Sequence, residues 1–397
     1  MAKESRNLYF FTATYPYGQR ESFIEDEIVY LSKAFKRITI IPLKGSGNPT
    51  RLVPNNCEVI PPIIRSIFQQ YLIGLFCPLA LKIFASDFFN KRVYRNKKRF
   101  ETWLIAYVIS NNLLMSPRIR NIFKNISKED VCYFYWGKGS NNLSFFYRGK
   151  ATYVCRFHGE WDLWEESSGN YAPIRTQITK SLNLAILISE KGMKYFKQRY
   201  PNCKTALIPL GSNDCGVGFK SNDNTIRVLS CSSVYWLKRV PLIFRALKNI
   251  KDKNVIWTHI GDGEDFEKLK KEVSNSIPQN ITVNLLGRLP HPQVLEYYQN
   301  NPVDVFVNVS TNEGVPVSIM EAISFDVPVV ATDVGSNSEI VTPQSGVLIS
   351  SMPSDCEIAD AILKAMNLAT SPRNFWSGHY SAENNYRKIV NALNNPS

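Results

Sequence analysis

Two glutamates with seven residues between them, Glu313 and Glu321, are the positions in this chain best placed to do chemistry. They stand in the stretch Asn312-Glu313-Gly314-Val315-Pro316-Val317-Ser318-Ile319-Met320-Glu321-Ala322. The apolar run 303–309 before it predicts a strand, and the apolar-periodic segment after it predicts a helix. Pro316 suits the first turn of that helix, where a missing N–H costs nothing. Glu313 then lies in the loop before the helix, and Glu321 more than a turn inside it. A carboxylate beside free helix-terminal N–H groups, with a second on the following helix, suits a ligand carrying both hydroxyls and phosphates.

The elements that must hold these residues alternate regularly in the second half of the chain. Strands are predicted at 226–230, 255–260, 281–286, 303–309, 327–331 and 346–349. Helices are predicted at 240–250, 264–273, 291–299, from 316, and at 355–368. Such alternation implies a parallel sheet covered on both faces, which binds ligands at the carboxyl ends of its strands. The first half begins the same way, with a strand at 9–12, a helix at 21–34 and a strand at 38–42. Residues 60–125 are longer and more helical, and the rhythm returns at 131–136, 151–157 and 185–189. Ile208-Pro209-Leu210-Gly211 and the polar run Ser221-Asn222-Asp223-Asn224 mark a boundary. The expected class is α/β, with doubly wound domains at 1–207 and 208–370 and a tail at 371–397.

The glutamate pair, with Gly314, Pro316, Ala322 and the downstream Pro328, resembles the signature of retaining glycosyltransferases of family 4, which use nucleotide-sugar donors. The resemblance covers most of 205–370 and the first half more loosely. It implies the GT-B architecture: two Rossmann-like domains facing across a cleft, with a C-terminal helix crossing back to the first. It implies that Glu313 holds hydroxyls of the donor sugar and Glu321 the nucleotide ribose, with the amides of Gly314 and Val315 near the diphosphate.

The family carries an arginine and a lysine after the first strand of the second domain, and both grip the leaving diphosphate. Lys238 matches the lysine, the arginine position falls at Ser232 or Ser233, and Arg239 stands where glycine is common. A cation is needed because the departing diphosphate gains charge as the glycosidic bond breaks. Either Arg239 compensates or the serines bond the phosphate. Gly261-Asp262-Gly263 resembles the family's glycine turn, and Gly287-Arg288 lies where the base ring is held. Asp326 and Ser336 also replace frequent glycines.

In the first domain, Cys155-Arg156-Phe157-His158-Gly159-Glu160-Trp161-Asp162 resembles the family's histidine segment. The resemblance puts His158 against the donor sugar, and Asp162 is placed to orient the acceptor hydroxyl. The loop 15–21, containing Gly18, precedes a helix and offers N–H groups to a diphosphate. Glu313, His158 and Lys238 are thus the catalytic candidates.

The implied activity is retaining transfer from a UDP- or GDP-sugar to a lipid-pyrophosphate-linked oligosaccharide acceptor. By analogy this serves assembly of bacterial O-antigen, capsule or exopolysaccharide. The resemblance implies no metal and no other cofactor, and no Asp-x-Asp motif stands in a suitable loop. A sugar-nucleotide epimerase on the same fold and a non-catalytic scaffold are the alternatives.

Composition is that of an ordinary globular chain, 44 % hydrophobic and 20 % charged over 397 residues, with a net charge of +13. Part of that charge is concentrated at 91–100, just after the uncharged apolar stretch 71–81. This resembles a segment lying on an anionic membrane surface. The competing expectation is a buried helix followed by a solvated basic loop. The apolar stretch is far shorter than a bilayer span and contains Pro78. No nucleic-acid-binding module accompanies the charge. Eight cysteines without CxxC pairs and no visible signal peptide predict reduced thiols in the cytoplasm, with the protein peripheral on the inner face of the membrane.

Overall fold

Among the described residues, thirteen short strands, all paired in parallel, form two sheets. The computed structural model describes residues 6–18, 21, 23–64, 66–159, 162–221 and 223–396, apart from the side chains of Ile67, Gln69, Ile73 and Phe76. Gln19 and Arg20 of the 15–21 loop, Glu160 and Trp161 of the histidine segment, and Asn222 lie outside the described residues.

The first unit comprises Met1–Ile208 with Tyr386–Ser397. Its strands are β1 (Asn7–Thr12), β2 (Arg37–Pro42), β3 (Cys57–Val59), β4 (Val131–Phe134), β5 (Thr152–Phe157), β6 (Leu184–Leu187) and β7 (Thr205–Leu207). They run in the order β3-β2-β1-β4-β5-β6-β7. Strands β4 and β6 are buried at every position. This is why they read as continuous apolar runs: helices cover both faces of a parallel sheet. Strands β3 and β7 were not expected, since three residues at a sheet edge carry no pattern. The helix expected from residue 21 begins at Ile24, because Glu21 is left-handed at φ 62°.

The long helical stretch resolves into Ile67–Phe76, Leu81–Asn90, Lys97–Met115 and Pro117–Asn125. Asn96 and Ser116 start the last two by accepting from the N–H groups of Arg99 and Ile119. Among the described side chains, the stretch 71–81 is buried at Gly74, Cys77 and Ala80 and open elsewhere, so it is not the fully buried helix of one expectation. Leu72, Leu75 and Leu79 are exposed, as are Phe89, Tyr94 and Phe100 farther on. No described helix is long and apolar enough to cross a membrane.

The second unit spans Pro209–Asn385. Its strands are β8 (Thr225–Cys231), β9 (Asn254–Ile260), β10 (Ile281–Gly287), β11 (Val305–Asn308), β12 (Val329–Thr332) and β13 (Gly346–Ile349), in the order β10-β9-β8-β11-β12-β13. Val305, Val307 and Val309 pack with Val228, Trp257 and Ile362 in its core. Strand order reverses between β8 and β11, and such a switch point opens a crevice at the carboxyl ends of its two strands. Residues 371–385 stay with this unit, where Trp376 Nε1 donates to Ser212 Oγ at 2.8 Å. The last helix, Ala382–Asn394, carries the chain into the first unit. There Tyr386 lies 5.5 Å from the Tyr30 ring, and Asn394 O accepts from Arg6 Nη1 at 2.6 Å.

Candidate functional site

In the second unit, the loops leaving β8 and β11 meet at the switch point. Lys238 comes from the first loop and Glu313 from the second, and Lys238 Nζ lies 2.5 Å from Glu313 Oε1. That oxygen also accepts from Ser310 Oγ at 2.6 Å and Asn308 Nδ2 at 3.2 Å. The Glu313 carboxylate is thus nearly buried and fixed by three donors before any ligand arrives. Gly335 allows this. At φ 56° it packs so closely that a Cβ there would lie 1.7 Å from Glu313 O. Gly261 does the same for the opposite loop, where a Cβ would meet Ser232 O at 1.8 Å.

Pro316 is the N-cap of the helix Val317–Ser324, which begins one residue later than expected. Gly314 and the buried Val315 precede that helix, and Gly314 O accepts from Ser336 N at 3.2 Å. Glu321 lies inside it, and its Oε1 is 2.7 Å from His291 Nε2. His291 was read only as a helix start. A histidine at the head of the helix after β10 is a weak signal without the fold that turns it toward Glu321.

Arg239 is engaged by the backbone. Its guanidinium donates to the carbonyls of Val309 at 2.6 Å, and of Ser310 and Ser351 at 3.0 Å each. It therefore ties the β11 and β13 ends together, which argues against its serving as the compensating cation. Burial also holds its pKa below the ordinary arginine value. Its φ of 49° explains why glycine suits this position. Asp326 at φ 64° has the same explanation. Its Oδ1 accepts from Ser371 Oγ at 2.6 Å and Arg373 N at 3.1 Å.

Ser232 is half-buried, with its N–H on Ile260 O at 3.1 Å, and Ser233 is exposed. Beneath them sits His259, fully buried and missed in the sequence. Trp257 Nε1 donates to Ser230 Oγ at 2.9 Å, and that hydroxyl shares a hydrogen bond of 2.9 Å with His259 Nδ1. His259 Nε2 faces the Ser232 backbone without a bond of good geometry. Burial lowers the His259 pKa to about 4. Gly287 ends β10 at φ 69°, and Arg288 is exposed just beyond it. A cavity of about 490 Å³ opens beside Trp236, Arg239 and Arg245, but Lys238, Glu313 and Glu321 do not line it.

In the first unit, His158 follows β5 and lies against Tyr135 and Trp136, ring centroids 4.8 and 4.4 Å away. Its Nδ1 is 3.5 Å from Asp162 Oδ2, and neither ring nitrogen makes a hydrogen bond of good geometry. Burial lowers its pKa. Asp162 is itself buried, and its oxygens accept from the N–H groups of Gly137, His158 and Gly159. This places it as a brace for the histidine loop and argues against the expected acceptor contact.

Gly18 is exposed in the loop after β1. The N–H groups of Ala13, Thr14 and Tyr15 point to the Glu21 carboxylate, which also accepts from Trp136 Nε1. An internal anion therefore fills the cradle those amides make. The expected N–H groups for a diphosphate are correspondingly fewer.

Residues 218–379 match the family model described as glycosyl transferases group 1. The fold is GT-B. HepE of Anabaena, solved with UDP and glucose, superposes with a TM-score of 0.64 over 98 % of this chain and 99 % of that one, at 15 % identity. Glycosyltransferase 1 domain-containing protein 1 of Xenopus tropicalis is 30 % identical over 147 residues, 36 % of this chain. The UDP-Gal:alpha-D-GlcNAc-diphosphoundecaprenol alpha-1,3-galactosyltransferase of Escherichia coli is 29 % identical over 166 residues, 40 % of this chain. The matches span 41 % and 40 % of those two relatives' lengths.

Proposed function

We propose that this chain is a retaining glycosyltransferase that moves a sugar from a UDP- or GDP-sugar onto a lipid-linked glycan acceptor. The observation that carries the reading is the meeting of Lys238 and Glu313 at the switch point of the second sheet, with Glu321 on the helix that follows. Lys238 offsets the charge that develops on the departing diphosphate. Glu313, already held by Ser310 and Asn308, takes hydroxyls of the donor sugar. Glu321 takes the ribose, exchanging or sharing His291. We assign His158 to contact with the sugar. The acceptor oxygen attacks from the face the diphosphate leaves, and the leaving phosphate receives its proton.

The donor class is supported by the UDP bound to HepE and the UDP-Gal named for the E. coli relative. A lipid-pyrophosphate acceptor is supported by the diphosphoundecaprenol in that relative's name. The exposed leucines and aromatics of 68–100, interspersed with Lys91, Arg92, Arg95, Lys97 and Lys98, suit work at an anionic membrane surface. Assembly of a bacterial surface polysaccharide is the role we assign.

Arg239's diversion to backbone carbonyls leaves Lys238, itself paired with Glu313, as the one other cation of the 231–239 loop to meet a phosphate, which favours a second reading, a non-catalytic scaffold. A panel of UDP- and GDP-sugars tests both readings by thermal shift. One nucleotide series is expected to stabilise the protein by about 2.7 kcal/mol at 100 times its Kd. Failure of every nucleotide sugar to raise the melting temperature would remove the donor site. Stabilisation without slow donor hydrolysis would favour the scaffold.

A further inference from the structure

A small cavity of about 40 Å³, largely apolar with a few charged and amide groups, lies in the first unit, beyond the ends of β4 and β5. Lys138, Asn141, Arg175, Asp162 and Glu165 line it together with the helix Lys97–Met115. By the usual measure this volume holds a few water molecules, the size of one ionic headgroup and too little for a nucleotide or sugar ring.

Its polar groups are unevenly matched. Asn141 is 1 % exposed and has only the Cys155 thiol beside its amide. Neither its Nδ2 nor its Oδ1 makes a hydrogen bond of good geometry. Arg175 is 6 % exposed and spends Nη2 on Asp162 O at 2.7 Å, while the buried Nη1 has no partner. Lys138 lines the cavity and is itself exposed, at the side where the cavity meets solvent. Its ammonium is held below the ordinary lysine range, first by desolvation and then by the charge of Arg175, with Asp162 opposing.

The two acids here are already committed. Asp162 accepts from three backbone N–H groups, and Glu165 accepts from Tyr200 Oη at 2.7 Å and lies 3.8 Å from Arg199 Nε. Leaving a buried N–H donor unmet is costly, and two neighbouring cations repel unless an anion joins them.

We propose that this cavity binds a single phosphate group, held by Lys138, Arg175 and Asn141 Nδ2, and that the group belongs to the phosphate-bearing acceptor. A dianion answers two cations, and a tetrahedral head presents several oxygens to separate donors. The second half of the proposal rests on the transferase reading above. The first half does not.

The test uses the full-length chain with UDP saturating, so that any donor phosphate site is filled. Inorganic phosphate and glucose 1-phosphate are each titrated by calorimetry and thermal shift, with glucose as control. Both phosphates are expected to bind, and glucose is not. Lys138→Gln should weaken both about tenfold, the loss expected for one charge-assisted hydrogen bond, while UDP affinity is unchanged. Arg175→Gln should weaken them further. Because Arg175 also supports Asp162 and stacks 5.1 Å from the Phe157 ring, Lys138→Gln is the deciding variant.

No phosphate binding, or equal binding in Lys138→Gln, means the cavity holds only water and overturns the proposal. Binding of inorganic phosphate without glucose 1-phosphate makes this a free-ion site and overturns the acceptor assignment. If UDP itself does not bind, the donor reading fails on its own, and the phosphate arm still decides this site.

Discussion

Glu313 carries three donors on one oxygen, and its replacement separates chemistry from stability. Glu313→Gln keeps a group that Ser310 and Asn308 can bond but removes the charge facing Lys238. Turnover should fall roughly 10²- to 10³-fold, the range for losing one preplaced polar contact at a reacting centre, with the melting temperature little changed. Near-normal kinetics would exclude Glu313 from the site. Lys238→Ala should weaken UDP more than uridine, because the ammonium is assigned to phosphate and not to the base; equal losses would mean it acts through structure. Gly335→Ala should cost about 1–3 kcal/mol from its left-handed backbone alone and push Glu313 out of place as well. A soluble, active Gly335→Ala would show that the loop after β11 yields more easily than its packing implies. The glutamate pair and Lys238 were legible because their positions are set by strand, loop and helix. The contacts of Arg239 were not legible, because sequence does not reveal that a non-glycine residue is left-handed with its guanidinium turned to carbonyls. Those of Asp162 were not legible either: its burial and its three backbone N–H donors are invisible in residue order.

In the second sheet, buried His259 on β9 makes the stability of the fold depend on pH. Its pKa lies near 4 when folded, against 6.5 as the ordinary value, so the unfolded chain takes up the proton first as pH falls. The stabilising contribution is complete above about pH 6.5 and is lost on going down toward pH 4, by up to about 3 kcal/mol. His259→Asn can still accept from Ser230 and cannot titrate. Its melting temperature should therefore fall less than wild type between pH 7 and 4, and identical pH profiles would remove His259 as the source. At this scale most strands were readable, since fully buried parallel strands are long apolar runs. Strands β3 and β7 were not, being three residues each. The start of the helix expected at 21–34 was not readable either: it begins at Ile24, and the Glu21 carboxylate turns back to the amides of Ala13, Thr14 and Tyr15.

Across the whole molecule, the proposed membrane surface rests on the net charge of +13 and on the exposed apolar side chains of 68–100. The chain should bind vesicles rich in anionic lipid and release them as salt rises, each surface cation contributing about 1 kcal/mol. Neutralising Lys91, Arg92, Arg95, Lys97 and Lys98 together should abolish sedimentation with those vesicles. Arg99 is left in place, since it holds the carbonyls of Gly169 and Lys91. Continued sedimentation of the neutralised protein would make the basic cluster an ordinary solvated surface. The central claim is that Glu313 and Lys238 form the working part of a nucleotide-sugar site, and release of nucleoside diphosphate from the preferred donor tests it most directly. Wild type should release UDP or GDP slowly without acceptor and faster with one, while Glu313→Gln binds the diphosphate normally and releases it at least about 100-fold more slowly. Equal release by wild type and Glu313→Gln, or none from any nucleotide sugar by wild type, would contradict the account.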